Sequence, residues 1–252
     1  MRRRRQNNPF FETIEYIGPR PQARRAKTPS FLSGWLLLLI AASIAYIVGK
    51  PLIPSLRAQQ DTATVARADS LISRLMTAPS LGERLAAAAL QQTKSHVSFD
   101  NSYRVIAFPG GDVPPDRGYG PDVIVRGYRA LAIDLQRLVN DDMSANFKAY
   151  PDIFKASKPD PNIDHRRVPN LERFFKRHGE ELPASRDAHN YAVGDIVVWR
   201  VGEEKHMGIV TPGPGERSDE RWVVHNLDRG PVWEDCLFEF EPVGHYRYDA
   251  SH

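Results

Sequence analysis

The chain is nearly devoid of cysteine, since Cys236 is the one thiol in 252 residues. A single cysteine excludes an internal disulfide and any metal site built from several thiolates. It does not exclude a location outside the cytoplasm, because a domain of this size can bury a sufficient core without disulfides. Cys236 stands in the alternating segment Trp233–Phe238 and is predicted to be a buried core thiol.

A net positive charge is also absent outside the N-terminal region. Residues 1–30 contain eight Arg and Lys residues against two acids, a net charge of +6. Of the chain's 34 basic and 31 acidic residues, the remainder keeps 26 and 29, a net charge of −3. The body therefore lacks a broad basic surface, and no nucleic-acid partner is expected.

Long hydrophobic runs are absent apart from one. Residues 28–49 contain no charged residue, and their apolar core, Phe31–Val48, is long enough to cross a bilayer as a helix. The basic residues precede this run, so the positive-inside rule predicts a cytoplasmic tail (1–30), a transmembrane anchor (31–49) and an external body. A cleaved signal peptide is the competing interpretation. About 30 residues precede the run, however, and no clean small-residue cleavage site follows it.

The remaining chain is predicted to be a helical stalk or linker (50–79) followed by an external domain (80–249). Ser80 and Glu83 have the spacing of a capping box at a helix start. Val97–Phe108 contains alternating and β-branched residues, and the four predicted strands come after Pro183. Helices followed by an antiparallel sheet indicate an α+β fold, with N-terminal helices packed on a C-terminal sheet. The further predicted helices are Leu135–Ala149 and Asn170–His178, and the predicted strands are Asp195–Trp199, Met207–Val210, Trp222–His225 and Val243–Tyr248.

A loop-to-helix junction lies at Asp116–Arg129, directly after a run rich in proline and glycine. Pro121 suits the first turn of a helix. The N-terminus of a helix offers free N–H groups and the positive end of the helix dipole, which can bind an anion or activate a thiol. No nucleophile stands at this position, because the residues there are Gly120 and Pro121.

Two histidines stand in predicted neighbouring strands, His206 in the segment His206–Val210 and His225 in Val223–Asn226. Taken alone, each could be an ordinary core histidine. A metal site made of His206, His225 and an acid such as Asp122 is an open alternative. No cofactor is expected.

The junction and the late histidines resemble the papain-like cysteine hydrolases of the NlpC and CHAP kind. In those enzymes a cysteine begins the first core helix, and a histidine opens a later strand in a pattern similar to His206–Val210. A wider set of motifs within Ser80–Tyr248 resembles the YijF-like bacterial family of that group. The shared segments are Pro109–Pro114, Asp116–Gly118, Asp122–Arg126, Asp134–Gln136, Lys158–Val168, Gly194-Asp195, His206–Val210, Val224–Asn226 and Gly244–Tyr248.

This resemblance implies that the two histidines share a polar pocket, in which His206 is the general base and His225 its orienting partner. The family's nucleophile cysteine is replaced by Gly120 and the hydroxyl residue after it by Pro121. We therefore expect a domain on the periplasmic side of the bacterial inner membrane that no longer cleaves amides. It would bind a peptidoglycan peptide or an envelope protein. The alternatives are a working cell-wall hydrolase, with a metal-activated water held by both histidines, and a purely structural envelope protein.

Further charged residues are candidate substrate contacts. The run Asp164-His165-Arg166-Arg167 predicts either a salt-bridged loop clamp or a subsite for a substrate carboxylate. Asp122 and Arg126 lie one helical turn apart and can also pair with each other. The candidate substrate-binding residues are Asp122, Arg126, Asp164, His165 and Arg166.

Overall fold

The computed structural model describes residues 38–43, 66–215, 217 and 219–250. The chain divides into two compact units, 1–56 and 57–252, and the described part of the first unit, 38–43, is helical. Among the described residues, none of the helices combines the length and the hydropathy that crossing a membrane requires. The predicted anchor, 31–49, lies outside the described residues except for 38–43, and the tail 1–30 lies outside them entirely.

Helices form the first half of the described second unit. Residues 66–76 are helical, and α1 begins directly after Ser80, as predicted, although the Ser80 side chain makes no capping hydrogen bond. The predicted helices after it are confirmed, with boundaries shifted by a few residues. The helices are α1 (Leu81–Gln92), α2 (Gly120–Ala130), α3 (Leu135–Asn146) and α4 (Val168–His178).

An antiparallel sheet forms the second half, so the predicted α+β class is confirmed. The strands are β1 (Ser98–Phe99), β2 (Arg117–Gly118), β3 (Glu180–Glu181), β4 (Ile196–Val201), β5 (Glu204–Pro212), β6 (Arg221–His225), β7 (Val232–Glu234) and β8 (Glu241–Arg247). The four predicted strands are present, and two short strands that were not predicted, β3 and β7, lie at the sheet edges. The spatial order is β3-β8-β4-β5-β6-β7, and a separate parallel pair joins β1 to β2.

The sheet is buried on both faces, which explains why β4 is a continuous apolar run and not an alternating one. On one face, Ile196 and Val198 join the main hydrophobic cluster together with side chains of α1, α2 and α4. On the other face, Val197 and Trp199 join a second cluster that contains Cys236. The prediction that Cys236 is a core thiol is confirmed, since it is 2% exposed.

The helical segment 66–76 also contributes to the core. Ile72 and Leu75 belong to the main cluster, so the C-terminal part of the predicted stalk packs on the body. Residues 50–65 of that stalk lie outside the described residues.

A close backbone contact docks α1 on the turn that leads into β4. Gly194 has φ +91°, and a Cβ atom there would lie 2.2 Å from the Cα atom of Gly82 in α1. Only glycine satisfies both the backbone conformation and this approach. The contact fixes the helical layer relative to the sheet that carries the histidines.

Candidate functional site

The candidate site begins at the N-terminus of α2. Gly120 is the first helical residue, and Pro121 lies in the first turn, as the sequence predicts. The Oδ2 atom of Asp122 accepts a hydrogen bond of 2.8 Å from the backbone N–H of Tyr119. The chain is thereby turned from β2 into the helix, and a carboxylate lies at the positive end of the helix dipole.

Gly120 lies directly against His206. A Cβ atom built on Gly120 would be 2.9 Å from both Nδ1 and Cε1 of the imidazole, closer than real Cβ contacts. The space that a side chain at position 120 would need is therefore occupied by the ring of His206. Any side chain at position 120 therefore requires the ring of His206 to shift, and this restriction comes from the contact and not from an unusual backbone angle.

The two histidines are joined by a hydrogen bond. The Nε2 atom of His206 lies 3.0 Å from the Nδ1 atom of His225. Trp199 lies directly opposite His206 across the β4–β5 ladder and stacks on its ring, with centroids 5.8 Å apart. The indole Nε1 of Trp199 donates to the carbonyl of Leu237 at 2.8 Å. The indole is held by this hydrogen bond and therefore restrains the imidazole of His206 on which it stacks.

A third polar residue continues the line of side chains beyond His225. The Nε2 atom of His225 lies 3.4 Å from Oε2 of Glu234 in β7. The guanidinium of Arg229 donates to Oε1 of Glu234 at 3.3 Å. Glu234 was not predicted as a site residue. Its position depends on the register of β6 against β7, which the sequence pattern does not reveal.

Asn226 ties the end of β6 to the junction before α2. Its side-chain amide donates to the carbonyl of Gly118 at 3.2 Å, and its Oδ1 atom accepts from the N–H of Gly230 at 3.1 Å. These bonds join the strand that carries His225 to the chain that enters α2. Gly120 and His225 are therefore held within one hydrogen-bonded unit.

Both histidines are neutral around neutral pH. Burial, together with a smaller contribution from the positive charge of His225, lowers the pKa of His206 to about 3. Burial also lowers the pKa of His225, although the carboxylate of Glu234 opposes that shift. A neutral imidazole has one donor and one acceptor nitrogen, so the pair can pass a proton or hold a fixed donor and acceptor pattern.

Asp122 and Arg166 form a buried, bidentate ion pair. The guanidinium Nε donates to Oδ1 of Asp122 at 2.8 Å and Nη2 donates to Oδ2 at 3.0 Å. The guanidinium also donates to the carbonyls of Ser102 and Asp100, each at 3.1 Å. Every nitrogen of Arg166 is thus engaged within the protein. This geometry corresponds to the loop clamp and leaves no fork for a substrate carboxylate.

The predicted pairing of Asp122 with Arg126 is wrong. Arg126 is partly exposed and turns to Asp112, with 2.9 Å between Nε and Oδ2, while Asp122 points inward to Arg166. Arg126 also donates to the carbonyl of Arg117 at 2.8 Å. It therefore fastens the proline- and glycine-rich loop to α2.

Asp164 and His165 are buried beside this clamp. The Oδ2 atom of Asp164 accepts from the backbone N–H of Asp160 at 2.6 Å. In the described part of the chain, the Nδ1 atom of His165 has no hydrogen-bond partner. Burial lowers the pKa of His165 to about 3, helped by the positive charges of Arg166 and Arg129. His165 is therefore a neutral, enclosed side chain.

The metal site considered from the sequence, with His206, His225 and Asp122, is not formed. Both carboxylate oxygens of Asp122 bind Arg166. Within the ranges that the structure describes, the one group suited to hold a metal ion consists of His225, Glu234 and Cys236, whose ligand atoms all lie within 4.8 Å of one another. Cys236, although distant along the chain from the first histidine, therefore lies close to the second.

Comparison with known proteins supports the family suggested by the motifs. Residues 86–248 match the family described as "Domain of unknown function (DUF1287)". The chain is 46% identical over 165 residues to "Uncharacterized protein YijF" of Escherichia coli (strain K12), which covers 65% of this chain and 80% of that protein. No solved structure gives a significant match. On the family match and this relative, the chain belongs to the DUF1287 family of YijF-like proteins.

Proposed function

We propose that residues 80–249 are a papain-like domain of the NlpC kind that has lost its nucleophile and binds a peptide without cleaving it. The ligand is a peptidoglycan peptide or a segment of an envelope protein. The observation that carries this proposal is the position of Gly120, where an added Cβ atom would lie 2.9 Å from Nδ1 of His206. A cysteine hydrolase requires this relation between a residue that begins a helix and a histidine supported by a second polar residue.

Loss of catalysis follows from the chemistry of three positions. Gly120 has no nucleophile, and Pro121 has no N–H to help stabilise an oxyanion. Cys236 is no substitute, because burial, reinforced by the carboxylates of Glu234 and Glu239, raises the pKa of its thiol to about 12. The reactive thiolate is therefore scarce at neutral pH.

Apolar side chains beside the junction suit a peptide ligand. Phe99 is 42% exposed and packs edge-on against Tyr119, the residue that precedes Gly120. Leu227 is 36% exposed and follows Asn226, whose carbonyl oxygen lies 3.6 Å from the Cβ position at residue 120. A peptide lying across these side chains would pass over the nearly buried edge of His206.

The proposal includes a location. The uncharged run 28–49 and the basic residues before it favour an inner-membrane anchor with the body on the periplasmic side, where peptidoglycan is found. A hydrolase with a metal-activated water held by both histidines has less support. The nitrogens Nε2 of His206 and Nδ1 of His225 bind each other at 3.0 Å and so do not face a common ion.

The test combines binding and turnover, with the full chain in detergent. Native protein is expected to sediment with purified, insoluble peptidoglycan and to release no soluble fragments. His206→Ala should weaken sedimentation, whereas His96→Ala, at an exposed histidine, should not. Release of fragments by native protein that disappears in His206→Ala would show an active hydrolase and overturn the proposal.

A Gly120→Cys variant tests the geometry itself. Its thiol is expected to react with iodoacetamide at lower pH than an ordinary thiol, because the N-terminus of α2 and a hydrogen bond donated by Nδ1 of neutral His206 favour the thiolate. Adding His206→Ala should return the reactivity to the ordinary range. Native protein supplies the background from Cys236. If the thiol of Gly120→Cys reacted equally with and without His206→Ala, the assignment of position 120 as the nucleophile position would be contradicted.

A further inference from the structure

We infer that His225, Glu234 and Cys236 form a binding site for a zinc-type transition metal ion, on the side of His225 that faces away from His206. The site is separate from the peptide-binding function proposed above and does not depend on it. It uses the chain's single thiol, and it lies where β7 and the segment after it pass the end of β6.

The spacing of the ligand atoms supports this site. The three ligand atoms lie within 4.8 Å of one another, and Nε2 of His225 is 3.4 Å from Oε2 of Glu234. That distance is long for a hydrogen bond. Ligand atoms that share a zinc ion at about 2.0–2.3 Å in tetrahedral geometry lie about 3.3–3.8 Å apart. Nε2 of His225 and Oε2 of Glu234 are therefore already spaced as two ligands of one ion. The sulfur of Cys236, within 4.8 Å of both, needs to approach by only about 1 Å to reach the same spacing.

Strand geometry explains how the three residues meet. Val223 pairs with Glu234 and His225 with Val232, so His225 and Glu234 are diagonal neighbours on β6 and β7. Cys236 follows the end of β7 by two residues, and there its thiol lies within 4.8 Å of the ligand atoms of His225 and Glu234. One sheet edge thus presents nitrogen, oxygen and sulfur ligands together.

Supporting contacts orient two of the three ligands. The Nδ1 atom of His225 faces Nε2 of His206 at 3.0 Å, which turns the other ring nitrogen towards Glu234. Arg229 holds the second oxygen of Glu234 at 3.3 Å. Hydrogen bonds of this kind to the outer atoms of ligands are the usual support of metal sites in proteins.

Charge balance and access also suit a divalent ion. A thiolate from Cys236 and a carboxylate from Glu234 would cancel the two charges of the ion, which favours a buried site. Binding would release the thiol proton to solvent, since the thiolate is the ligand. A cavity of about 170 Å³ borders His225 and Glu234 and offers the fourth coordination position to water. Three protein ligands and one open position are typical of zinc sites that are not purely structural.

Metal binding would also set the protons on both histidines. With Nε2 of His225 bound to the ion, its Nδ1 carries hydrogen and donates to Nε2 of His206. The remaining hydrogen of His206 then lies on Nδ1, which faces Gly120. The bound ion would therefore make His206 a fixed hydrogen-bond donor towards the proposed peptide.

Cobalt(II) is the most direct probe, because a thiolate ligand gives it an intense near-ultraviolet charge-transfer band and tetrahedral geometry gives strong visible bands. The full chain in detergent is first treated with a chelator and dialysed. On addition of one equivalent of Co²⁺ it is expected to develop the near-ultraviolet thiolate band and the visible bands. Zn²⁺ should then displace Co²⁺ and abolish them. Absence of the thiolate band in native protein would overturn the site without recourse to any variant.

Variants identify the ligands. Cys236→Ser should remove the thiolate band, and Glu234→Gln should weaken Zn²⁺ binding, measured in competition with a chromophoric chelator, by at least about tenfold. The matched control is Asp235→Asn, which removes the same charge from the exposed residue between the two ligands and should leave binding unchanged. If Asp235→Asn weakened binding as much as Glu234→Gln, the effect would be general electrostatics and the assignment would fail.

Discussion

His206 contacts His225 through Nε2, at 3.0 Å from Nδ1, and turns its other nitrogen towards Gly120. The ring of His206 therefore connects Gly120, the first residue of α2, to β6, the strand that carries His225. Because Trp199 stacks on the same ring, the imidazole has little freedom to move aside. The cost of placing any side chain at position 120 depends on that restraint.

Replacement of Gly120 by alanine should destabilise the protein. The added Cβ atom would lie 2.9 Å from the ring of His206, and overpacking of this kind costs about 1–3 kcal/mol. Urea denaturation of the native and Gly120→Ala proteins measures the change in the free energy of unfolding.

A double-mutant cycle isolates the contact. In a His206→Ala background, Gly120→Ala should cost much less, giving a coupling free energy of about 0.5–3 kcal/mol. Additive effects of the two substitutions would mean that His206 is not the group that restricts position 120.

Stability should fall as the pH drops from 7.5 to 5. Burial lowers the folded-state pKa of both His206 and His165 to about 3, whereas an unfolded histidine titrates near 6.5. The unfolded state therefore binds more protons, and stability is lost progressively below pH 6.5. Proton linkage gives about 2 kcal/mol per histidine at pH 5. Urea denaturation at the two pH values measures the loss.

The pH effect has its own control. His206→Asn should remove about 2 kcal/mol of the loss between pH 7.5 and 5, the share of one histidine, while His96→Asn, at an exposed position, should remove none. The carboxyl groups with lowered pKa, such as Asp100, titrate mainly below this range. An unchanged slope in His206→Asn would show that this histidine is not buried in neutral form.

Breaking the ion pair between Asp122 and Arg166 should be severe. The side chains are 3% and 2% exposed, and Asp122→Asn would leave the guanidinium charge buried and unpaired. Loss of one partner of a buried pair costs about 3–5 kcal/mol. The exposed pair Arg217–Asp219 is the matched control, and Asp219→Asn should change stability far less than Asp122→Asn does. Equal effects at the two pairs would contradict the clamp.

Substitutions at two glycines with positive φ, Gly194 and Gly202, distinguish the cost of a steric contact from the cost of the backbone conformation. Gly194→Ala places a Cβ atom 2.2 Å from Gly82, whereas Gly202→Ala, at φ +60°, meets nothing within 4 Å. Gly202→Ala should cost about 1–2 kcal/mol, the cost of a left-handed alanine. Gly194→Ala should cost clearly more, because α1 must move away from the turn. Thermal unfolding of both variants measures the difference, and similar values would mean that α1 is not docked there.

The sequence predicted the regular elements well, because their signals are local. Pro121 marked the first turn of α2, and the apolar run Ile196–Trp199 marked the central strand. Strand β7 was missed because Val232–Glu234 is only three half-buried residues, too short for a period to be visible. The likeness to papain-like hydrolases stays a prediction.

The site was only partly predictable for a related reason. His206 and His225 carry a motif, but the proximity of Glu234 and Cys236 to His225 depends on strand register and on the path of the chain after Asn226. The pairing of Asp122 is a similar case. Sequence spacing favours Arg126, yet the partner is Arg166, 44 residues away, because Asp122 points into the protein. Long-range contacts of this kind leave no periodic signal.

The line of side chains from His206 through His225 to Glu234 joins the proposed peptide site to the proposed metal site. If a peptide lies against Nδ1 of His206 and an ion is bound beside Glu234, each ligand prefers one placement of the same hydrogens. Thermodynamic linkage then makes the influence reciprocal, so that the factor by which the ion changes peptide affinity equals the factor by which the peptide changes ion affinity. If both proposals hold, the affinity for the peptide would therefore depend on the concentration of the metal ion.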